Sequence, residues 1–182
     1  MTYGTFLRKV RDPERKMNYY FAEQHVPEPL ADDIITPVLG QEILEPSLTA
    51  FWHGIGTVSL PHTDEDENFM CVLSGWKEFQ IVSSFQRALV YPGGRAAGDT
   101  NEYPDNYSPV HFEKPQLDQF PAFADAKLHR VKIQDGDCLF LPSYWWHRVV
   151  SSPEETIAVS HWFKGHHSIM NMIHEYMFDF QD

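Results

Sequence analysis

Apolar and polar positions along this chain change their spacing once, and the change separates a mixed leading segment from a β-rich body. Between Asp12 and Gln24 charged and aromatic residues recur at loosely helical intervals until Pro27 and Pro29 break the pattern, so the segment up to about residue 40 reads as a helix and connectors. After Leu48 the period becomes two. Phe51, His53, Ile55 and Thr57 alternate with Trp52, Gly54 and Gly56 ahead of Val58. The run NFMCVLSGWKEFQIVSS predicts two strands, Phe69 to Leu73 and Lys77 to Val82, paired as a hairpin through Ser74 and Gly75. Strands resume at HRVKI, turn over Gln134 to Asp137, and continue as CLFLP, WWHRVVSS and TIAVSHWF. Short strands at this spacing predict a sandwich or barrel.

Two segments stand outside that rhythm. The stretch 91–127, rich in proline and containing Gly93-Gly94, is too long for a turn and reads as a functional lid or a disordered insert. The tail HSIMNMIHEYMFDF places Ile169, Met172, Ile173 and Met177 at helical spacing, predicting an amphipathic helix over 166–180. Packing on the core and a homodimer surface are the two ways to bury its stripe.

Length and composition narrow the class. The 182 residues, 42% hydrophobic and 22% charged, fit one globular domain over 1–182. A formal charge of −12 argues against a duplex DNA partner. No apolar run reaches membrane-spanning length and the start lacks a signal-peptide core, so a cytoplasmic or nuclear location is expected, with no membrane partner. Cys71 and Cys138 lack CxxC spacing and read as small buried hydrophobes of a reducing compartment.

The candidate chemistry centres on His62 and Asp64, which point to one side of an extended segment where one metal could meet both. Ten histidines and 26 acidic residues give roughly 1.4 such triplets by chance, so the motif is weak alone. His111-Phe-Glu113, inside the proline-rich insert, reads as a decoy. His147, opening the run HRVVSS, supplies a third ligand from a neighbouring strand. Two histidines and one carboxylate on one face leave three positions of an octahedral iron open. Lys77 shares its period-two face with Phe79 and Ile81, opposite Glu78 and Gln80, and should point inward. A lysine in a core is costly unless it meets an anion; snorkelling at the barrel rim is the alternative. Trp145 and Trp146 lie on opposite faces, at least one in packing, and His161 reads as a satisfied core histidine. His166 and His167 read as an exposed pair, and Asp66 and Glu67 as a solvated acidic loop.

The blocks FWHGIGTVSLPHTDEDENFMCVLSGWKEFQIV, GDCLFLPSYWWHRVVSS and TIAVSHWFKG resemble the JmjC, or cupin-8, group of iron(II)- and 2-oxoglutarate-dependent hydroxylases. Within that group the likeness is to the small hydroxylases typified by the asparaginyl hydroxylase of hypoxia-inducible factor and the JmjC lysyl hydroxylases. The resemblance implies a double-stranded β-helix with flanking helices. It also implies iron bound by His62, Asp64 and His147, and 2-oxoglutarate held through its far carboxylate by Lys77 and Tyr20, with Tyr19 one register away. Asn68 matches a cosubstrate-contacting asparagine, Ser59 stands where threonine is common, and Ser160 where an asparagine is. With O2 as oxidant, the implied activity is hydroxylation of a protein or peptide side chain, releasing succinate and carbon dioxide; nothing in the chain resembles the reader or zinc modules of demethylases. The alternatives are a catalytically degenerate metal-binding module, favoured by Ser160 and by a start that is short for the family, a tRNA-modifying hydroxylase of the same group, and a cupin isomerase.

Overall fold

A computed structural model describes residues 1–37, 44–94 and 103–164. The predicted helix over 166–180, with His166 and His167, lies outside the described residues.

The chain's helix forms earlier than the sequence pattern suggests. Helix α1 spans Tyr3–Val10; the Thr2 side chain caps it by accepting from Thr5 N, Arg8 and Lys9 occupy its last turn, and Phe6 and Val10 are buried. The charged stretch from Asp12 is turn and coil, and Tyr20–His25 is strand β1. The loosely helical spacing there loses to tertiary pairing. β1 runs antiparallel to β2 (Glu45–Ile55), with Tyr20 opposite Gly54 and Phe21 opposite His53. Phe21 is thereby stacked among Tyr3, Phe6 and Phe51. A polar clasp completes the seat of α1. The Tyr3 hydroxyl donates to His53 Nδ1 (2.8 Å), His53 Nε2 donates to Glu155 (2.6 Å), and Arg11 pairs with the same carboxylate at 2.7 Å.

The remaining strands are β3 (Glu67–Ser74), β4 (Trp76–Val82), β5 (His129–Gln134), β6 (Cys138–Leu141), β7 (Trp146–Ser151) and β8 (Glu155–Lys164). They form two antiparallel sheets, ordered β1-β2-β8-β3-β6 and β5-β4-β7. Met70, Val72, Leu141 and Ala158 from the first sheet pack on Phe79, Ile81 and Ile133 from the second. The fold is mainly β, a double-stranded β-helix of the cupin type, flanked by α1 and short 3-10 turns. Among the described residues no helix is long and apolar enough to cross a membrane.

The expected hairpin between β3 and β4 is not one. The two strands occupy different sheets, and Gly75, at φ +80°, carries the chain across the corner. A Cβ there would lie 2.8 Å from the Glu155 carbonyl oxygen. Gly56 (φ +60°) stands where the chain leaves β2 for the edge of the second sheet, donating its N–H to Ser152 O.

Two further expectations are corrected. Cys71 and Cys138 are disulfide-bonded, not separate thiols; antiparallel pairing of β3 with β6 sets them directly opposite, Cα to Cα 4.1 Å. Their 67-residue separation concealed this, and the pairing removes the cysteine argument for a reducing compartment. The described part of the insert is not disordered: it packs on the outer face of β4 and β7. Gln80 is buried and accepts from Arg148, while Val110, Phe112, Phe120 and Phe123 of the insert pack on Val82 and Trp146. The described part of the insert is a packed wall with its own apolar core.

Candidate functional site

After Gly56 the chain extends along β7, and this local pairing builds the centre of the site. Ser59 N donates to Val149 O, while His62 and His147 exchange both backbone hydrogen bonds, at 3.0 and 2.8 Å. Their imidazoles consequently lie side by side, with ring centroids 4.3 Å apart. The Asp64 carboxylate completes the group: Oδ1 lies 3.8 Å from His62 Nε2 and Oδ2 lies 3.6 Å from His147 Nε2. The three donor atoms all fall within 4.8 Å of one another.

The opposite edge of each ring fixes its orientation. His62 Nδ1 is 2.7 Å from Leu60 O and His147 Nδ1 is 3.0 Å from Trp145 O, so each Nδ1 donates to a backbone carbonyl and each Nε2 is turned toward the site. Burial, and then the neighbouring His62, push His147 down to about 4, leaving that imidazole neutral. Two imidazoles and a carboxylate with converging donor atoms fit a divalent first-row metal such as iron(II). Among the described residues this is the one cluster of its kind. His111 and Glu113 are dispersed, with His111 Nδ1 accepting from Lys114 N and Glu113 lying 3.7 Å from Arg148.

A cavity of about 570 Å³ runs inward between the sheets from these ligands. At its far end Lys77, only 2% exposed, donates to Ser151 Oγ at 2.9 Å and approaches the Tyr20 hydroxyl at 3.5 Å. Thr57 donates to the same Ser151 oxygen and bonds the Tyr20 hydroxyl. Among the described residues no carboxylate pairs with Lys77. Burial lowers it to about 8 and raises Tyr20 to about 12. Tyr20 is 41% exposed as a whole residue, yet its hydroxyl is turned inward, and its ring rests on Trp52 and over Gly54. A Cβ on Gly54 would lie 2.8 Å from that ring.

The other candidate positions divide. Asn68 lines the cavity and is buried with its Oδ1 unpartnered. A half-turn of the carboxamide would present its NH2 instead. Ser59 also lines the cavity, its Oγ accepting from Val149 N at 2.9 Å. Ser160 stands on the inward face, opposite Met70 of β3, but lies beneath cavity-lining side chains. It is fully buried behind the wall, where Oγ accepts from Trp52 Nε1 (2.9 Å) and lies 3.6 Å from Met70 Sδ, both partners being cavity-lining residues. Trp146 is core, and His161 is buried on the outer face near Thr49, lowered by burial.

Several contributors escape the sequence pattern. Ser151 could have been found, because it shares the period-two inward face of His147 and Val149. Asn106 and Tyr107 sit in the insert, where no periodicity points inward. Their backbone bridges to the ligand segment, with Thr63 N donating to Asn106 O, and Tyr107 stacks 5.7 Å from His62. Glu67, expected in a solvated loop, is 1% exposed and bonded to Ser143. A second hollow of about 620 Å³ adjoins the first at Asp64, Asn106 and Trp162 and is lined by Glu23, Glu65, Asp66 and Asp105 as well as Arg87.

Comparison with known proteins agrees with this architecture. The lysine-specific demethylase 8 of Xenopus tropicalis is 29% identical over 171 residues, 90% of this chain and 37% of that protein. Its namesake from Danio rerio is 32% identical over 142 residues, 76% of this chain and 33% of the relative. The HSPB1-associated protein 1 homolog of Danio rerio is 30% identical over 118 residues, covering 64% and 25% respectively. The chain thus spans about a quarter to two fifths of the length of these relatives. Residues 1–169 match the cupin-like domain family, and the chain belongs to it.

Proposed function

We propose that this domain is an iron(II)- and 2-oxoglutarate-dependent dioxygenase that hydroxylates a protein side chain. The observation that carries the reading is one cavity with converging metal donors at its mouth and an unpaired, buried lysine at its end. His62, Asp64 and His147 would hold iron. When bound, iron and 2-oxoglutarate supply the oxidising chemistry: one O2 oxidatively decarboxylates the cosubstrate to succinate and carbon dioxide and leaves its second oxygen atom in a C–H bond as hydroxyl.

The chain's own residues bind and orient. Lys77 offers a dicarboxylate the charge that burial makes costly to leave alone, and Tyr20 adds a hydroxyl beside it. Asn68 and Ser59 provide polar contacts on the walls between the two ends. Met70, Phe79, Val149 and the Trp52 ring close the space between the sheets against water. The carboxylates around the adjoining hollow oppose a phosphate backbone, which favours a protein substrate over tRNA. Ser160 keeps its hydroxyl on Trp52 Nε1 beneath the lining while the metal donors still converge, which weighs against the degenerate-module reading.

Succinate formation from 2-oxoglutarate with ferrous iron in air tests the proposal without a known substrate. The native chain should turn over, and His62→Ala and Lys77→Ala should both fall to background. Metal binding through the triad with no succinate from the native chain would favour the binding module.

A further inference from the structure

We propose that Glu67 is a positioning residue for the metal site: its carboxylate ties the segment bearing Asp64 and Asn68 to the loop that delivers His147. The inference rests on the iron-site reading above. Glu67 accepts from Ser143 N at 2.9 Å and from Ser143 Oγ at 3.3 Å, and both residues are buried. No cation pairs with this carboxylate among the described residues. An apolar residue would fill the same place without the cost of burying a charge, so the bonds to Ser143 account for the residue type.

The two ends of this bond lie close along the chain to different ligands. Glu67 follows Asp64 by three residues and immediately precedes Asn68, at the start of β3. Ser143 precedes His147 by four residues, in the connection between β6 and β7. Two steps of that connection reach the site. Tyr144 N donates to Asp64 O at 2.8 Å, and Trp145 O receives His147 Nδ1 at 3.0 Å. Tyr144 is held at φ +59°, a left-handed conformation that a non-glycine residue keeps only where its surroundings impose it. Glu67 supplies two of the bonds that impose it, one residue upstream.

Remove the carboxylate, and the connection keeps the Tyr144 bond but loses both Glu67 bonds at Ser143. The imidazole edge that Trp145 O orients is then free to drift relative to Asp64. Outer partners of metal ligands commonly change metal affinity by roughly 10- to 100-fold. Glutamine at this position retains the shape and an acceptor for Ser143 N, and the serine hydroxyl can rotate to suit the amide.

The test measures manganese(II) binding to the whole chain by electron paramagnetic resonance, beside thermal unfolding of the metal-free protein, with no turnover involved. Glu67→Ala should weaken manganese about 10- to 100-fold, and Glu67→Gln should recover at least half of that loss on a logarithmic scale. Affinity for Glu67→Ala within about threefold of the native value, or a smaller recovery by Glu67→Gln, overturns the proposal. If Glu67→Ala lacks a cooperative unfolding transition, Ser143→Ala carries the test. It should bind manganese at least about threefold more weakly, and native affinity overturns the inference. A native chain that binds no manganese, or binding that survives His62→Ala, defeats the iron-site reading instead.

Discussion

The two ends of the cavity are built on opposite principles. At the mouth, His62 and His147 are imidazoles whose Nδ1 atoms are satisfied by backbone carbonyls, so the rings are oriented before any ion arrives. At the far end, Lys77 is a cation surrounded by hydroxyls, with its charge unanswered. One end is complete in geometry and the other is incomplete in charge. The difference teaches how the proposed cavity would select: the mouth would fix where a metal sits, and the far end would reward a ligand that carries an anion to that depth.

Lys77→Met separates these roles most sharply. It should weaken 2-oxoglutarate binding to the manganese form by at least about 100-fold, the loss expected when one partner of a buried ion pair is removed. The same variant should be more stable than the native chain at neutral pH. Burial lowers Lys77 from 10.5 to about 8, which corresponds to a charging penalty of roughly 3 kcal/mol in the folded state. Urea unfolding checks this, and a less stable Lys77→Met would show that the lysine serves the fold. The pH dependence has a definite sign. Between about 8 and 10.5 the unfolded chain binds more protons than the folded one, so the penalty is fully present below pH 8 and relieved as pH rises through that window. Cosubstrate binding runs the other way, because the empty pocket must take up a proton above pH 8. Calorimetry should find 2-oxoglutarate binding weakening by about fivefold from pH 8 to 9 in the native chain and flat in Lys77→Met.

The same contrast decides what was legible in the sequence. The inward lysine followed from a period-two strand, and the strands from β3 onward followed from alternation and turn residues, because those signals are local. The sheet assignment of β3 and β4 did not, since a glycine that turns a hairpin and one that crosses between sheets have the same one-letter context. Nor did the disulfide, which depends on strand register over a long separation. Glu67 was misread because charge was taken as exposure; its burial is set by Ser143, a partner far along the chain. The insert hid Asn106 and Tyr107, whose approach to His62 is made by backbone atoms that carry no sequence signal. The role of Tyr20 came from family likeness, while the residues themselves pointed to a helix.

One smaller substitution sharpens the far end. Tyr20→Phe removes one hydroxyl from beside Lys77, and a hydrogen bond worth about 1 kcal/mol predicts cosubstrate binding about fivefold weaker, with turnover retained. A loss as large as that of Lys77→Met would mean that the ring position over Gly54, and not the hydroxyl, governs the pocket.

Ser160→Ala should have the smallest effect on binding. Its hydroxyl points at Trp52 and Met70 and not into the cavity, so 2-oxoglutarate affinity should stay within about threefold of the native value. Stability should fall by about 1 kcal/mol, because the alanine leaves Trp52 Nε1 without its acceptor. Ser160→Asn cannot simply restore a longer polar side chain. The site is fully buried, and the added volume must displace Trp52 or Met70, narrowing the cavity they line. It should therefore bind the cosubstrate more weakly than Ser160→Ala does. If Ser160→Asn instead bound it more tightly than the native chain, the wall behind Trp52 would be part of the cosubstrate site.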